Sequence, residues 1–208
     1  MKITIETLEL SKEIREYIAQ HTSDTSALAV LAKDEEKKVR ACVAGNEYTL
    51  PETLAKLAKD RENGIRVLVA VNNNTPPEAL EKLAKDPCDY IRAYVAENEN
   101  TSQDTLEELA EDECDKVREN VAGNKNTSWR TLARLTEKRG YFVLINIAEN
   151  KNTSQETLEK LAEDWHDAVR FYVAKNKNTS QETLEKLAKD VNVDVQNAAT
   201  KSLSRLIA

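Results

Sequence analysis

The amino-acid sequence predicts an all-α solenoid built from tandem pairs of short helices, and three observations point to this fold. Branched aliphatic residues return every 26 positions along the chain of 208 residues: Val39, Ile65, Ile91, Val117, Val143, Val169 and Val195. The residues between them also repeat, as V-R-x-x-V-A-x-N-x-x-T-x-x-x-x-L-x-x-L-A-x-D. Within each copy the apolar residues follow helical spacing. A strict period of this length is typical of repeat proteins, in which each unit packs on its neighbours.

The first predicted helix of each pair, which we name the A helix, follows the recurring Thr. In one copy Leu184 and Leu187 are spaced i, i+3 and form an apolar stripe, while Glu and Lys fill the opposite face. Thr179 and Glu182 have the spacing of a capping box. The pattern therefore predicts that the Thr side chain caps the start of the A helix.

The second predicted helix, the B helix, is shorter and carries a second apolar stripe. Val169, Val173 and Ala174 lie at i, i+4 and i+5, and Asn176 follows them. An Asn recurs at this place in the other copies: Asn46, Asn72, Asn98, Asn124 and Asn150. Asn tolerates the left-handed conformation that ends a helix, so we expect it to end a B helix of α or 3₁₀ type. The alternative is that the Asn row binds a ligand.

These motifs resemble the leucine-rich repeat variant family, whose units carry the same V-R-x-x-V-A-x-N and L-x-x-L-A-x-D halves. The resemblance covers about residues 14 to 208. It implies a right-handed superhelix of alternating α and 3₁₀ helices without β-strands, and a scaffold without catalytic residues. Two departures stand out. The Pro that often follows the repeated Asn is missing, and so is the four-cysteine segment that holds an iron–sulfur cluster in some members.

The period also sets the expected boundaries. We predict an N-terminal cap over residues 1–13, seven tandem repeats of about 26 residues over 14–194, and a C-terminal half-repeat or cap over 195–208. Ile3, Ile5, Leu8 and Leu10 are expected to cover the first repeat.

Composition and charge argue against several functions. A net charge of −7 and a pI of about 5.1 leave no general basic surface for nucleic acid. No apolar run approaches the roughly 18 to 20 residues that span a bilayer, and the N-terminus lacks a signal-peptide core, so we expect a cytoplasmic protein. Cys88 and Cys114 are expected to stay reduced. No Cys or His spacing suggests a metal, no cofactor is implied, and the distant His21 and His166 do not suggest an enzyme.

An Asp precedes an Arg by six residues in five copies: Asp34/Arg40, Asp60/Arg66, Asp86/Arg92, Asp112/Arg118 and Asp164/Arg170, with Glu9/Arg15 as a further pair. One copy has Lys138 and Leu144 instead, so both charges are lost together, as a salt bridge predicts. We expect Arg66, Arg92 and Arg170 to contact an Asp of their own repeat or the next. The alternative is an Arg row that binds phosphates or carboxylates.

Two rows of the B helix vary between copies while the A helix stays nearly fixed. The predicted partner-binding residues come from these rows: Val67, Leu68, Tyr94, Asn120, Ile145, Asn146, Phe171 and Tyr172. Large apolar side chains at positions where a solvated helix would carry Lys or Glu favour a partner surface. Crowding of neighbouring short helices, which would bury the rows against each other, explains the pattern equally well.

A second candidate is a basic stripe on one A helix and the turn after it, with a tryptophan beside it: Trp129, Arg130, Arg134, Lys138 and Arg139. The cations at i, i+4 and i+8 line one face, where an acidic peptide or a phosphate could dock. A repeat that has simply diverged is the alternative. The sequence thus favours a non-catalytic scaffold that binds a protein or peptide, with a nucleic-acid-binding helical-repeat protein as the second hypothesis. It does not determine the oligomeric state.

Overall fold

The structure, a computed structural model, describes residues 10–138 and 140–207. Most of the predicted N-terminal cap lies outside the described residues, including Ile3, Ile5 and Leu8. Glu9, the acid of one predicted ion pair, and Arg139 of the basic stripe also lie outside them. The predicted repeat boundaries remain a prediction.

The predicted all-α fold is confirmed, since the described residues form fifteen α-helices and one 3₁₀ turn at Thr136–Lys138, with no β-strand. The A helices are α2 (Thr25–Leu31), α4 (Pro51–Leu57), α6 (Pro77–Leu83), α8 (Gln103–Leu109), α10 (Trp129–Leu135), α12 (Gln155–Leu161) and α14 (Gln181–Leu187). The B helices are α1 (Lys12–His21), α3 (Lys37–Gly45), α5 (Asn63–Val71), α7 (Asp89–Glu97), α9 (Asp115–Gly123), α11 (Tyr141–Glu149), α13 (Asp167–Lys175) and α15 (Val193–Ile207). The B helices are α-helical rather than 3₁₀. None of the described helices has the length and apolar character needed to cross a membrane.

The chain forms two compact units, residues 1–105 and 106–208. In the first unit α1 packs on α3, α3 on α5 and α5 on α7, so each B helix lies against the B helix of the next repeat. The second unit repeats this arrangement with α9, α11, α13 and α15. B helices also contact A helices next to them in the chain, as α3 contacts α2 and α4 in the first unit and α13 contacts α12 and α14 in the second. Stacking of this kind is what the 26-residue period predicts.

The core of each unit is built from the repeated apolar positions. Leu80 of α6 and Val69 of α5 are fully buried in the first unit, as are Leu158 of α12 and Val173 of α13 in the second. Burying a Leu or Val side chain stabilises the fold by about 1.5–3 kcal/mol. The two apolar stripes read from the sequence are therefore the surfaces that hold the repeats together.

The prediction that the repeated Thr caps the A helix is wrong by one residue. Thr179 is buried, and its hydroxyl donates to the Val173 carbonyl at 2.6 Å, at the end of the preceding B helix. The N-cap of α14 is Ser180, whose hydroxyl accepts the Thr183 N–H at 3.2 Å. Because the hydroxyl of the buried Thr179 bonds to the preceding B helix, the next residue caps the A helix.

The repeated Asn ends the B helix, as predicted, but in an extended rather than a left-handed conformation. Asn176 has φ −69° and ψ 134°. Its side-chain amide donates to the carbonyls of Ala148 at 2.7 Å and Asn150 at 3.0 Å, both in the preceding repeat. Its side-chain oxygen accepts the N–H of Asn178 at 2.9 Å. The Asn row is thus a ladder between repeats, because its amides are used by the scaffold.

Candidate partner-binding surface and an interrupted Arg–Asp ladder

In the first unit the predicted partner-binding residues lie on two stacked B helices. Val67 and Leu68 are half-buried on α5, and Tyr94 on α7 is 37 % exposed. Leu68 and the exposed Val71 line a cavity of about 430 Å³ with backbone and side chains of the loop that follows α5. These side chains combine packing against neighbouring helices with a remaining exposed part.

In the second unit the predicted residues Asn120, Ile145, Asn146, Phe171 and Tyr172 lie on α9, α11 and α13 and are all half-buried. Phe171 and Tyr172 meet edge to face, with ring centroids 5.5 Å apart. The Lys175 ammonium lies 5.1 Å from the Phe171 centroid and 5.4 Å from that of Tyr172, within the range of a cation–π interaction.

The side-chain amide of Asn146 is engaged within the scaffold. Its Nδ2 donates to the Glu119 carbonyl of α9 at 2.9 Å. The Asn146 side chain therefore links α11 to α9. Phe171 and Tyr172 remain the stronger candidates for contact with a partner.

A cavity of about 380 Å³ lies between α13 and α15 in the second unit. Phe171 forms part of its wall, together with the cations Lys175, Lys201 and Arg205. Asp194 is the one acidic residue in the lining. An apolar ring surrounded by cations suits a ligand that combines an apolar group with a negative charge.

The basic stripe is partly neutralised by acids of the preceding repeat. Trp129 is 52 % exposed and carries the Arg130 guanidinium 5.2 Å from its ring centroid. Arg134 pairs with Glu107 at 2.7 Å, and Lys138 pairs with Glu111 at 2.8 Å. The hydrogen bond from Lys138 lowers the pKa of Glu111 below its usual value.

One aromatic cluster was not predicted from the sequence. Trp165 is 82 % exposed, and its ring lies 3.4 Å from that of His166 between centroids. The ring of Tyr141, on α11, also lies close to that of His166, with the centroids 4.7 Å apart. These residues stand at positions that vary between copies, which is the signal that could have marked them. They lie at the starts of the B helices, away from the two rows that the sequence analysis selected.

The predicted salt bridges join neighbouring repeats within each unit and form an Arg–Asp ladder. Arg66 Nε donates to Asp86 Oδ2 at 2.6 Å and Arg170 Nε to Asp190 Oδ2 at 2.7 Å, while each Nη2 reaches the other carboxylate oxygen. The hydrogen bond from Arg170 holds the pKa of Asp190 below its usual value. The other described steps are Arg15–Asp34 and Arg40–Asp60. The prediction that Arg66 and Arg170 contact a repeat Asp is confirmed.

The Asp six residues before an Arg offers that Arg its backbone carbonyl oxygen and not its carboxylate. Arg66 Nη1 donates to the Asp60 carbonyl oxygen at 2.9 Å, and the Asp60 carboxylate pairs with Arg40. Lys138 and Leu144 are therefore not partners, and the inference that a pair was lost together is wrong. Each substitution removes one partner from a different step of the ladder.

The two steps affected by these substitutions are rearranged. Asp164, which faces no Arg because Leu144 stands in that place, instead lies 2.8 Å from His166 Nδ1. Arg118, which meets Lys138 instead of an Asp, turns to Asp115 on its own helix. Its Nε is buried without a hydrogen-bond partner. The ladder of the second unit is thus interrupted at Arg118.

The described residues contain no cluster of three His, Cys, Asp or Glu side chains that could hold a metal ion. Cys42, Cys88 and Cys114 are free thiols, and burial raises the pKa of Cys42.

Stacked helix pairs joined by polar ladders define the class: the chain has a helical-repeat scaffold fold. Residues 64–87, which cover α5 and α6, match the family model described as leucine rich repeat variant. A solved structure described as a leucine-rich repeat variant with a novel repetitive protein structural motif is 25 % identical, with a TM-score of 0.69. The match covers 95 % of this chain and 81 % of that chain. The predicted resemblance to the leucine-rich repeat variant family is confirmed.

Two further solved structures show weaker likeness. The archaeal HEAT-like repeats protein from Thermococcus onnurineus NA1 is 11 % identical, with a TM-score of 0.40 and coverage of 94 % of this chain and 96 % of that chain. A designed armadillo repeat protein in complex with the peptide (KR)4 is 16 % identical, with a TM-score of 0.30 and coverage of 96 % of each chain. Among curated proteins, none matches the sequence.

Proposed function

We propose that the protein is a non-catalytic, cytoplasmic scaffold that binds a protein or peptide through the exposed face of its B helices. The observation that carries this proposal is the half-burial of large apolar side chains at equivalent positions of successive B helices. Leu68 and Tyr94 in the first unit, and Phe171 and Tyr172 in the second, all keep part of their surface in solvent.

Half-burial suits a binding anchor. The buried part of the side chain fixes its orientation, so little conformational entropy is lost when a partner covers the rest. Tyr and other large side chains at such positions carry most of the binding energy in many interfaces. The chain is 32 % charged, yet these positions carry apolar or aromatic groups, so solubility does not explain them.

The two units offer different chemistry to a partner. Leu68 and Val71 form the apolar part of a cavity wall in the first unit, where Glu47 is the charged lining residue. The second combines Phe171 with Lys175, Lys201 and Arg205. A peptide suited to the second surface would place an aromatic or aliphatic side chain beside an acidic one.

The test begins with selection of peptides from a displayed random library against the intact chain. Affinity of a selected peptide is then measured by fluorescence anisotropy for the wild type and for a Phe171→Ala, Tyr172→Ala double variant. We expect a loss of about 30-fold, equivalent to about 2 kcal/mol. Tyr48→Ala, which removes an exposed Tyr from the loop after α3, is the matched control and should bind like the wild type. Equal losses in both variants, with unchanged circular dichroism, would contradict the proposal.

The second hypothesis, nucleic-acid binding through the basic stripe, receives less support. Arg134 and Lys138 are paired with carboxylates, so the stripe offers few free charges to a phosphate backbone. Arg130→Glu with Arg134→Glu should leave binding of the selected peptide unchanged, unless that peptide is acidic and docks on the stripe.

A further inference from the structure

We propose that the interrupted ladder step between Arg118 and Lys138 is a binding site for the carboxylate group of a ligand, which takes the place that an Asp side chain fills at the intact steps. The site uses none of the B-helix residues proposed above, because Arg118 and Lys138 belong to the Arg–Asp ladder between repeats.

An intact step of the same unit shows what the missing carboxylate does. Asp190 Oδ2 accepts the Arg170 Nε–H at 2.7 Å, and Asp190 Oδ1 accepts the Arg170 Nη2–H at 2.9 Å. Asp190 Oδ1 also accepts the backbone N–H of Asn192 at 2.8 Å. One carboxylate thus satisfies the fork of an Arg from the preceding repeat and a backbone donor of its own turn.

At the interrupted step Lys138 stands where Asp190 stands in its repeat, and its ammonium group has no acceptor to offer. Arg118 remains almost buried, with 12 % of its side chain exposed, and its Nη1 still donates to the Glu113 carbonyl at 3.0 Å. Its Nε lacks a partner. Gly140 stands at the position of Asn192. The Lys138 ammonium cannot accept the Gly140 N–H as the Asp190 carboxylate accepts that of Asn192.

The two charged side chains beside Arg118 both reach solvent, with Asp115 72 % and Lys138 40 % exposed. The carboxylate that pairs with Arg118 Nη2 belongs to Asp115, which is 72 % exposed and can return to solvent. The Lys138 ammonium is held 2.8 Å from Glu111, so its charge lies to one side of the step. A ligand carboxylate would take the place of Asp115 at Nη2, accept from Nε as well, and so supply the hydrogen bond that the buried Nε lacks.

The chemistry favours a carboxylate over other anions. A carboxylate presents two oxygens in one plane, which match the parallel N–H groups of a guanidinium fork. At four other described steps an Asp carboxylate occupies the equivalent place on the Arg fork, so the fork geometry itself suits a carboxylate. A side-chain carboxylate and a C-terminal carboxylate share this chemistry, and both are available on a peptide.

The experiment follows the side-chain Nε–H signals of the arginines by ¹⁵N NMR in the intact chain. Sodium acetate replaces sodium chloride at constant ionic strength. We expect a saturable shift of the Arg118 signal with a dissociation constant in the millimolar range. The signals of Arg40, Arg66 and Arg170 serve as internal controls and should not shift, because their forks are already filled.

Two variants test the site itself. Lys138→Asp supplies the missing carboxylate, so the Arg118 signal should stop responding to acetate and move towards those of the paired arginines. Lys138→Met removes the ammonium without adding an acceptor, and the response to acetate should persist. N-acetylaspartate amide and N-acetylalanine then distinguish a side-chain carboxylate from a terminal one.

Three results would overturn the proposal. The first is an Arg118 signal that does not shift with any of the carboxylates. The second is an equal shift of all four Arg signals, which would mean a general salt effect. The third is a stronger response to inorganic phosphate than to acetate, which would reject the assignment to carboxylates.

Discussion

Restoring the interrupted ladder should stabilise the protein, and Lys138→Asp is the change that does so. The new carboxylate would give the buried Arg118 Nε an acceptor, which recovers about 1–3 kcal/mol. Loss of the exposed Lys138–Glu111 pair costs about 0–1 kcal/mol. Burial of the new carboxylate is offset by its hydrogen bonds, as at Asp190, whose side chain is 8 % exposed. We expect a net gain of about 2 kcal/mol in the free energy of unfolding.

The gain is measured by urea unfolding, with circular dichroism for the whole chain and amide hydrogen exchange for α9 and α11, since repeats can unfold in separate phases. Protection should rise in these two helices first, because they lie on either side of the altered step. Lys138→Met is the control and should change stability little, as it leaves Nε unpaired. If Lys138→Asp is no more stable than Lys138→Met, the reasoning that the step at Arg118 lacks only a carboxylate is refuted.

Three further predictions concern the scaffold. Arg170 lowers the pKa of Asp190, so the stability advantage of the wild type over Asp190→Asn should be largest above about pH 4. The advantage should shrink as pH falls through the lowered folded-state pKa of Asp190. Urea unfolding at several pH values measures it, and an advantage that grows in acid would contradict the prediction. Asn150→Ala removes the side-chain donor that Ala122 and Asn124 of the preceding repeat accept, although the Asn124 carbonyl keeps the Thr127 N–H, and should cost about 1–3 kcal/mol by the same measurement; a cost near zero would mean that water replaces the ladder. Leu158→Ala, in the buried core, should cost about 2–5 kcal/mol, and the half-buried Leu203→Ala clearly less; equal costs would argue against a core built repeat by repeat.

The register of the Arg–Asp ladder shows where sequence reasoning reaches its limit in a repeat protein. Arg66 lies six residues after Asp60 and twenty before Asp86, and these two offsets differ by the period of 26 residues. Every copy of the motif therefore predicts both pairings equally well. Only the packing of one repeat on the next selects Asp86 for the side chain and the Asp60 carbonyl for Nη1.

The repeated helices could be predicted because each carries its own apolar stripe, a local property of the chain. The role of Thr179 could not, because Thr and Ser are both good caps and only packing decides which one is buried. Likewise, the sequence identified Tyr94 and Tyr172 as candidates, but their half-burial depends on how closely successive B helices stack. Whether a partner covers them remains a prediction.

The Asn ladder and the Arg–Asp ladder allow the chain to gain or lose whole repeats while the contacts between repeats are kept. If residues 46–71 were removed, Gly45 would be followed by Asn72, whose amide would face the Ala19 and Thr22 carbonyls that Asn46 now binds. Arg40 would meet Asp86 in place of Asp60, again twenty residues further along the shortened chain. A deletion whose length is not a multiple of 26 residues would set donors against the wrong atoms at the junction. Recombination between copies can therefore shorten or lengthen such a protein without a new interface having to evolve.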